Sequence, residues 1–111
     1  MAKLKINTGA TVTQATSKST GVTIDAPCGI ITMNNAALAG SASVGFTVTC
    51  AYIDADDTVN LNLASGGTVA SYVYVVDTVA AGSFKIHVRN ISGGSLSEAL
   101  VLNYSIIKNS F

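Results

Sequence analysis

Charge is scarce in this chain of 111 residues, and the scarcity excludes several classes of protein. Charged residues make up 11% of the sequence, whereas hydrophobic residues make up 49%. A disordered chain needs the reverse balance, and a helical bundle needs many more Lys and Glu residues on its exposed faces. The six basic residues are matched by six acidic ones and are spread from Lys3 to Lys108, so they form no basic face for nucleic acid. The polar residues are mainly Thr, Ser and Asn, which suit strands and turns.

Long apolar runs are also absent. No segment approaches the run of about 18 apolar residues that a membrane helix needs, and no apolar core of a secretion signal follows the basic residues of 1–7. We therefore expect synthesis in the cytosol. In that compartment Cys28 and Cys50 are expected to be reduced, buried thiols, although the sequence leaves a disulfide open.

Apolar and polar residues alternate along most of the chain, as they do in β-strands that bury one face. The clearest case is 84–89, where the even positions are apolar and the odd positions are basic. The predicted strands are 21–25, 29–33, 44–52, 59–63, 71–79, 84–89 and 100–106. The predicted core consists of Phe46, Val48, Leu61, Phe84, Ile86, Val88, Leu100 and Leu102.

Turn signals rich in Gly, Asn and Asp separate these strands about every ten residues. This spacing predicts an all-β fold, a two-sheet antiparallel β-sandwich of jelly-roll-like form with seven or eight strands. We expect residues 15–111 to form this single domain. Residues 1–14, of which 8–11 are small and polar, are expected to be an N-terminal arm that lies on a neighbouring subunit.

Residues 95–98 have a second interpretation, because Ser95 and Glu98 fit a helix capping box before an apolar run. The alternation with a period of two in 100–106 is longer and ends in β-branched residues. It favours a strand there.

The segment 71–79 is apolar at both even and odd positions. A sandwich strand gives only one face to its own core, so the second face needs another covering. Tyr72, Val73, Tyr74 and Val75 are therefore candidate contacts in a homo-oligomer.

Residues that could carry chemistry are few. His87 is the only histidine, and it lies between Lys85 and Arg89 on the polar face of its strand without a nucleophile motif. We interpret these three residues as a solvated face or a contact stripe for an acidic partner, and we expect no enzymatic activity.

Metal and cofactor sites are not expected either. Asp54, Asp56 and Asp57 could in principle bind calcium, but the spacing lacks the Gly and distal Glu of an EF-hand loop, so a solvated turn is favoured. The glycine pairs join strands and do not lead into helices, which excludes a phosphate-binding loop. A sugar-binding platform is a further interpretation of the four tyrosines, which are Tyr52, Tyr72, Tyr74 and Tyr104.

Several short motifs occur along the chain, namely TQ at 13–14, TSKS at 16–19, GIITMNNAAL at 29–38, VAAGSF at 79–84, RNI at 89–91 and SLSEAL at 95–100. Together they resemble a module found in virion proteins of tailed bacteriophages and prophages, and the resemblance covers about residues 11–108. None contains a reactive group, so the resemblance implies a structural part of a phage particle and assigns no binding residue.

The format of a small, free-standing protein is similar to that of capsid decoration (cement) proteins. The resemblance then implies a protein on the outside of the virion head, often a homotrimer, that binds the major capsid protein and uses no cofactor. The alternative is a receptor- or glycan-binding tip of a tail fibre or spike, since such modules also occur at the ends of longer chains.

Overall fold

The structure is a computed structural model, and it describes residues 9–109. This part of the chain contains eight strands and no helix, so the prediction of an all-β fold is confirmed. The strands are β1 (Gly9–Thr13), β2 (Val22–Thr23), β3 (Cys28–Thr32), β4 (Ser43–Thr49), β5 (Thr58–Ser65), β6 (Tyr72–Ala80), β7 (Ser83–Asn90) and β8 (Val101–Ile107).

The strands form two four-stranded sheets, which confirms the predicted sandwich. Sheet A has the order β1-β3-β8-β5, and sheet B has the order β2-β4-β7-β6. At one end of the sandwich lie the turn between β4 and β5 and the end of β8. At the opposite end lie the loops that follow β3 and β7.

The sheets differ from the expected antiparallel arrangement in one respect, because both are mixed. The central strands pair antiparallel, but β1 pairs parallel with β3 and β2 pairs parallel with β4. The cause is the path of the chain, which alternates between the sheets from β1 to β4. Each pair of neighbours is then joined by a crossover through the opposite sheet, and a crossover returns the chain in the same direction.

The core lies between the sheets and follows the predicted alternation. All of the predicted core residues are buried except Leu61, which is partly buried against the others. Phe84 packs against Tyr104 with ring centroids 5.7 Å apart, so β7 of one sheet contacts β8 of the other.

The prediction of an N-terminal arm over 1–14 is wrong for the residues that form β1. Residues 1–8 lie outside the described residues, but Gly9–Thr13 pairs along its whole length with β3. Ala10 and Val12 pack against the core while the residues between them face outward. Small side chains are enough here, since an edge strand covers only the rim of the core.

The segment 95–100 contains no helix. Leu96 forms an isolated bridge to Leu38, and β8 begins at Val101. The strand interpretation is confirmed.

Candidate functional site

The basic stripe, which consists of Lys85, His87 and Arg89, lies on β7 and faces outward from sheet B. A neighbouring carboxylate partly compensates its positive charge. Asp77 on β6 pairs in register with Lys85, and its Oδ2 lies 2.8 Å from His87 Nδ1. Nδ1 is buried and makes no well-aligned hydrogen bond, so this contact is an ion-pair distance only. The imidazole lies over Gly45, where an added Cβ would be 2.4 Å from Nε2. Within the stripe, Arg89 is left as the cation without a carboxylate opposite it in register.

The four candidate oligomer contacts divide between the two faces of β6. Tyr72 is buried and Tyr74 is half-buried against the core, whereas Val73 and Val75 point outward and are 47% and 49% exposed. The strand is not central, because β6 is an edge of sheet B. Ile91 is 50% exposed, and it lies opposite Ser71 because its N–H donates to Ser71 O. Ser71 precedes Val73 by two residues, so Ile91 points to the same face as Val73. We name Val73, Val75 and Ile91 the edge strip.

Sheet A differs sharply from sheet B in charge. None of the residues in β1, β3, β5 and β8 is charged. The outward-facing residues of these strands, which we name the neutral face, present mainly hydroxyl, amide and aliphatic groups. Its central row, read across the sheet in register, is Thr11, Ile30, Asn103 and Asn62. About a quarter to a third of an ordinary protein surface is charged, so this face is unusual.

A cleft of about 780 Å³ opens at the end of the sandwich where β8 finishes. Asp25 and Pro27 from the loop between β2 and β3 form one wall, and Tyr52 and Asp54 from the turn after β4 form another. Tyr52 is 53% exposed. The cleft thus combines an accessible aromatic ring with carboxylates, a mixture that suits a polar ligand with an apolar face.

In the turn 54–57, which was considered as a calcium site, two carboxylates bind the ammonium group of Lys108. Its Nζ donates to Asp54 Oδ2 at 2.8 Å and to Asp57 Oδ2 at 2.6 Å. The hydrogen bond from Lys108, followed by that from the Asp54 N–H, lowers the pKa of the Asp57 carboxyl. The side chain of Asp57 is 2% exposed, and both of its oxygens already accept hydrogen bonds, Oδ2 from Lys108 and the Asp54 N–H and Oδ1 from the Asn109 N–H. Within residues 9–109, no group of three or more His, Cys, Asp and Glu side chains could hold a metal ion.

The four tyrosines do not share one surface. Tyr104 donates to the carbonyl of Ala26 at 2.6 Å, and Tyr72 donates to Glu98 Oε1 at 2.7 Å. Burial raises the pKa of both phenols, so each is neutral at physiological pH. Tyr52 is the one with a largely exposed ring.

Sequence reasoning missed a buried polar network at the end opposite the cleft. Lys18 is 4% exposed and donates from Nζ to the backbone carbonyls of Asn34 and Glu98. Burial lowers its pKa, and the charge of Glu98 partly offsets that effect. Gln14 is 2% exposed, and its side chain bonds to Lys18 O, Thr20 O and Asn34 N. Lys and Gln are seldom buried, so composition gave no signal of this network.

Asn90 is a second buried polar residue, with 0% exposure, at the same end. Its Nδ2 donates to Leu38 O and Gly94 O, and its Oδ1 accepts from Ser92 N and Oγ. Gln14, Lys18, Asn34, Asn90 and Glu98 each belong to one of the short motifs described in the sequence, so most of these motifs hold loops together at this end. Their role in the structure is architectural.

Both cysteines are free thiols. Cys50 is buried, and its Sγ contacts the carbonyl of Ala26 at 3.4 Å, whereas Cys28 is partly exposed at the rim of the neutral face.

Comparisons with known protein families, curated proteins and solved structures found no match to the chain. Among the described residues, no helix is long and apolar enough to cross a membrane. Fold and surface chemistry define the class of the protein as an all-β two-sheet sandwich.

Proposed function

We propose that the protein is a structural component of a tailed-bacteriophage particle, a decoration protein that binds the outer surface of the head and stabilises it. The observation that carries the proposal is the neutral face of sheet A. The resemblance of the sequence motifs to virion modules supplies the phage context. The partner is then the major capsid protein, and the place of action is the capsid exterior.

The neutral face suits a protein partner because docking it would remove no charge from water. Burial of an unpaired charge is costly, and the centres of protein interfaces are accordingly poor in charged residues. Hydroxyl and amide side chains such as Thr11, Asn62 and Asn103 can exchange bonds with water for bonds with a partner backbone. Ile30, which is 43% exposed, adds apolar area in the same row.

The size of the neutral face indicates that a single contact would be modest. Four strands of five to eight residues cover roughly 20 by 20 Å. A standard interface buries about 800 Å² on each partner, which is more than this face offers in projection. Several copies held together would bind more tightly through avidity, so self-association is part of the proposal.

The test combines copy number with rebinding. Hundreds of copies in each particle are expected for a head decoration protein, and purified protein should rebind to undecorated heads. Asn103→Lys places a charge at the centre of the neutral face and should weaken rebinding at least tenfold. Thr47→Lys, at an exposed outward position of β4, is the matched control and should rebind normally. Equal rebinding of the two variants would contradict docking through the neutral face.

A receptor- or glycan-binding tip is the second candidate, and the cleft favours it. Tyr52 could stack on a sugar ring while Asp25 and Asp54 accept bonds from its hydroxyl groups. This function predicts about a dozen copies in each particle, retention on host-cell glycans and loss of that retention in Tyr52→Ala. Binding to heads without binding to cells would exclude it.

A further inference from the structure

The free edge of sheet B lacks the usual protection of an edge strand. β6 is nine residues long, and among the described residues it pairs on one side only, with β7. Exposed edges normally contain charges, proline or bulges, because unpaired backbone groups attract other strands. The edge strand β2, by comparison, has two residues.

Protection on β6 is confined to its C-terminal part. The register with β7 shifts between Asp77 and Ala80, and Thr78 has a φ of 52°, which marks a bulge that bends the edge. The strand's one charge, Asp77, lies at the same place. The preceding residues, 72–76, are Tyr and Val without charge, proline or register shift.

The direction of the free backbone groups follows from the bonding pattern. Ile91 N–H donates to Ser71 O, so Ser71 directs its carbonyl toward β7. Along an antiparallel strand, the N–H and C=O groups of successive residues point alternately to one side and to the other, so those of Val73 and Val75 also point toward β7. The N–H and C=O groups of Tyr72, Tyr74 and Val76 therefore point to the free edge.

We infer that β6 pairs antiparallel with β6 of a second copy around a two-fold axis at Tyr74, which joins the two four-stranded B sheets into one. In this register Tyr74 lies opposite Tyr74 of the partner subunit, and Tyr72 lies opposite Val76 of the partner subunit. The two-fold axis repeats the second of these pairs, which makes three pairs in all. Each is a hydrogen-bonded pair that exchanges two bonds, so about six bonds cross the axis. An axis at Val75 would use the bulged end of the strand and form fewer bonds.

The side chains and charges support a second copy as the partner. Val73 lies opposite Val75 of the partner subunit in this register, so these two valines of both copies form one apolar cluster over the axis. Asp77 lies opposite Ser71 of the partner subunit, which keeps the two Asp77 carboxylates roughly 20 Å apart. No like charges are opposed across the pair.

The inference deepens the self-association in the proposed function, and it predicts a dimer where the resemblance implies a trimer. It does not depend on docking to a capsid. Failure of the edge pairing therefore leaves the role of the neutral face intact, and the two are tested by different variants.

The experiment measures molar mass by light scattering over a dilution series, together with amide hydrogen exchange. A dimer is expected that dissociates on dilution, with the amides of Tyr72, Tyr74 and Val76 protected only in the dimer. Val75→Lys places two charges beside the axis and should weaken dimerisation at least tenfold. Val69→Lys is the matched control, because Val69 is 91% exposed and lies outside the strand.

Several outcomes would overturn the inference. A monomer or a trimer at every concentration would do so, as would a dimer that Val75→Lys does not weaken or whose Tyr74 amide exchanges freely. A monomer whose Tyr74 amide becomes protected only on capsid heads would assign the edge to a different protein. An unfolding curve for each variant checks that the fold is retained.

Discussion

Replacement of Asn90 by alanine is expected to destabilise the fold by about 2–4 kcal/mol. The side chain is fully buried and makes four hydrogen bonds of 2.7 to 2.9 Å to the loops on either side. Leu38 O and Gly94 O would each keep another donor, namely Leu96 N and Ser92 Oγ, whereas Ser92 N–H would lose its acceptor. The magnitude follows from about 1–3 kcal/mol for the one donor left without an acceptor, plus about 1 kcal/mol in total for the bonds to partners that keep another hydrogen bond.

Urea unfolding followed by circular dichroism measures this change, and two further variants sharpen it. Asn62→Ala removes an exposed asparagine from β5 and should stay within about 0.5 kcal/mol of the parent. Asn90→Asp keeps the shape but turns an acceptor toward two carbonyl oxygens, so it should be destabilising at neutral pH and recover partly when the carboxyl is protonated. If Asn90→Ala were as mild as Asn62→Ala, the proposed role of Asn90 in holding the loops would be refuted.

Three other outcomes are expected from the structure. Phe84→Ala should cost about 3–5 kcal/mol in a denaturant melt, whereas Lys85→Ala on the outer face should cost under about 0.5, and equal costs would contradict the assignment of faces. The hydrogen bond from the Tyr72 hydroxyl lowers the pKa of Glu98 below its usual 4.5. The stabilisation that the Glu98 carboxylate contributes is therefore fully present above that pH and is lost as the pH falls through the lowered pKa of the folded state. Glu98→Gln should flatten this part of a pH–stability curve. Gly45→Ala should destabilise the fold because its Cβ would meet the ring of His87, and the cost should largely vanish in a His87→Ala background; an unchanged cost there would disprove the contact.

The strands of this fold could be predicted from the sequence because each buries one face. In β7 the alternation of Phe84, Ile86 and Val88 with longer polar residues leaves a single register that fills the core. The edges were less predictable. β1 contributes only Ala10 and Val12 to the core, a signal too weak to separate a strand from an arm.

Strand direction and the candidate surfaces depend on which strands become neighbours, and composition does not reveal that. The pattern of 72–75 predicted an exposed apolar face, and the structure locates that face at an edge of sheet B. The neutral face arises from four strands that are distant in sequence, so no local pattern announces it. The burial of Lys18 has no signal in the sequence, because only the fold brings carbonyl groups around its Nζ.

The absence of charge on sheet A has a consequence for the speed of assembly. Attraction between charged surfaces accelerates encounter, but it weakens as salt is added. A partner that docks on the neutral face gains little from such steering, so association should proceed at about 10⁵–10⁶ M⁻¹s⁻¹ and change little with ionic strength. A particle coated in this way would acquire its coat at a similar rate in dilute and in concentrated salt solution.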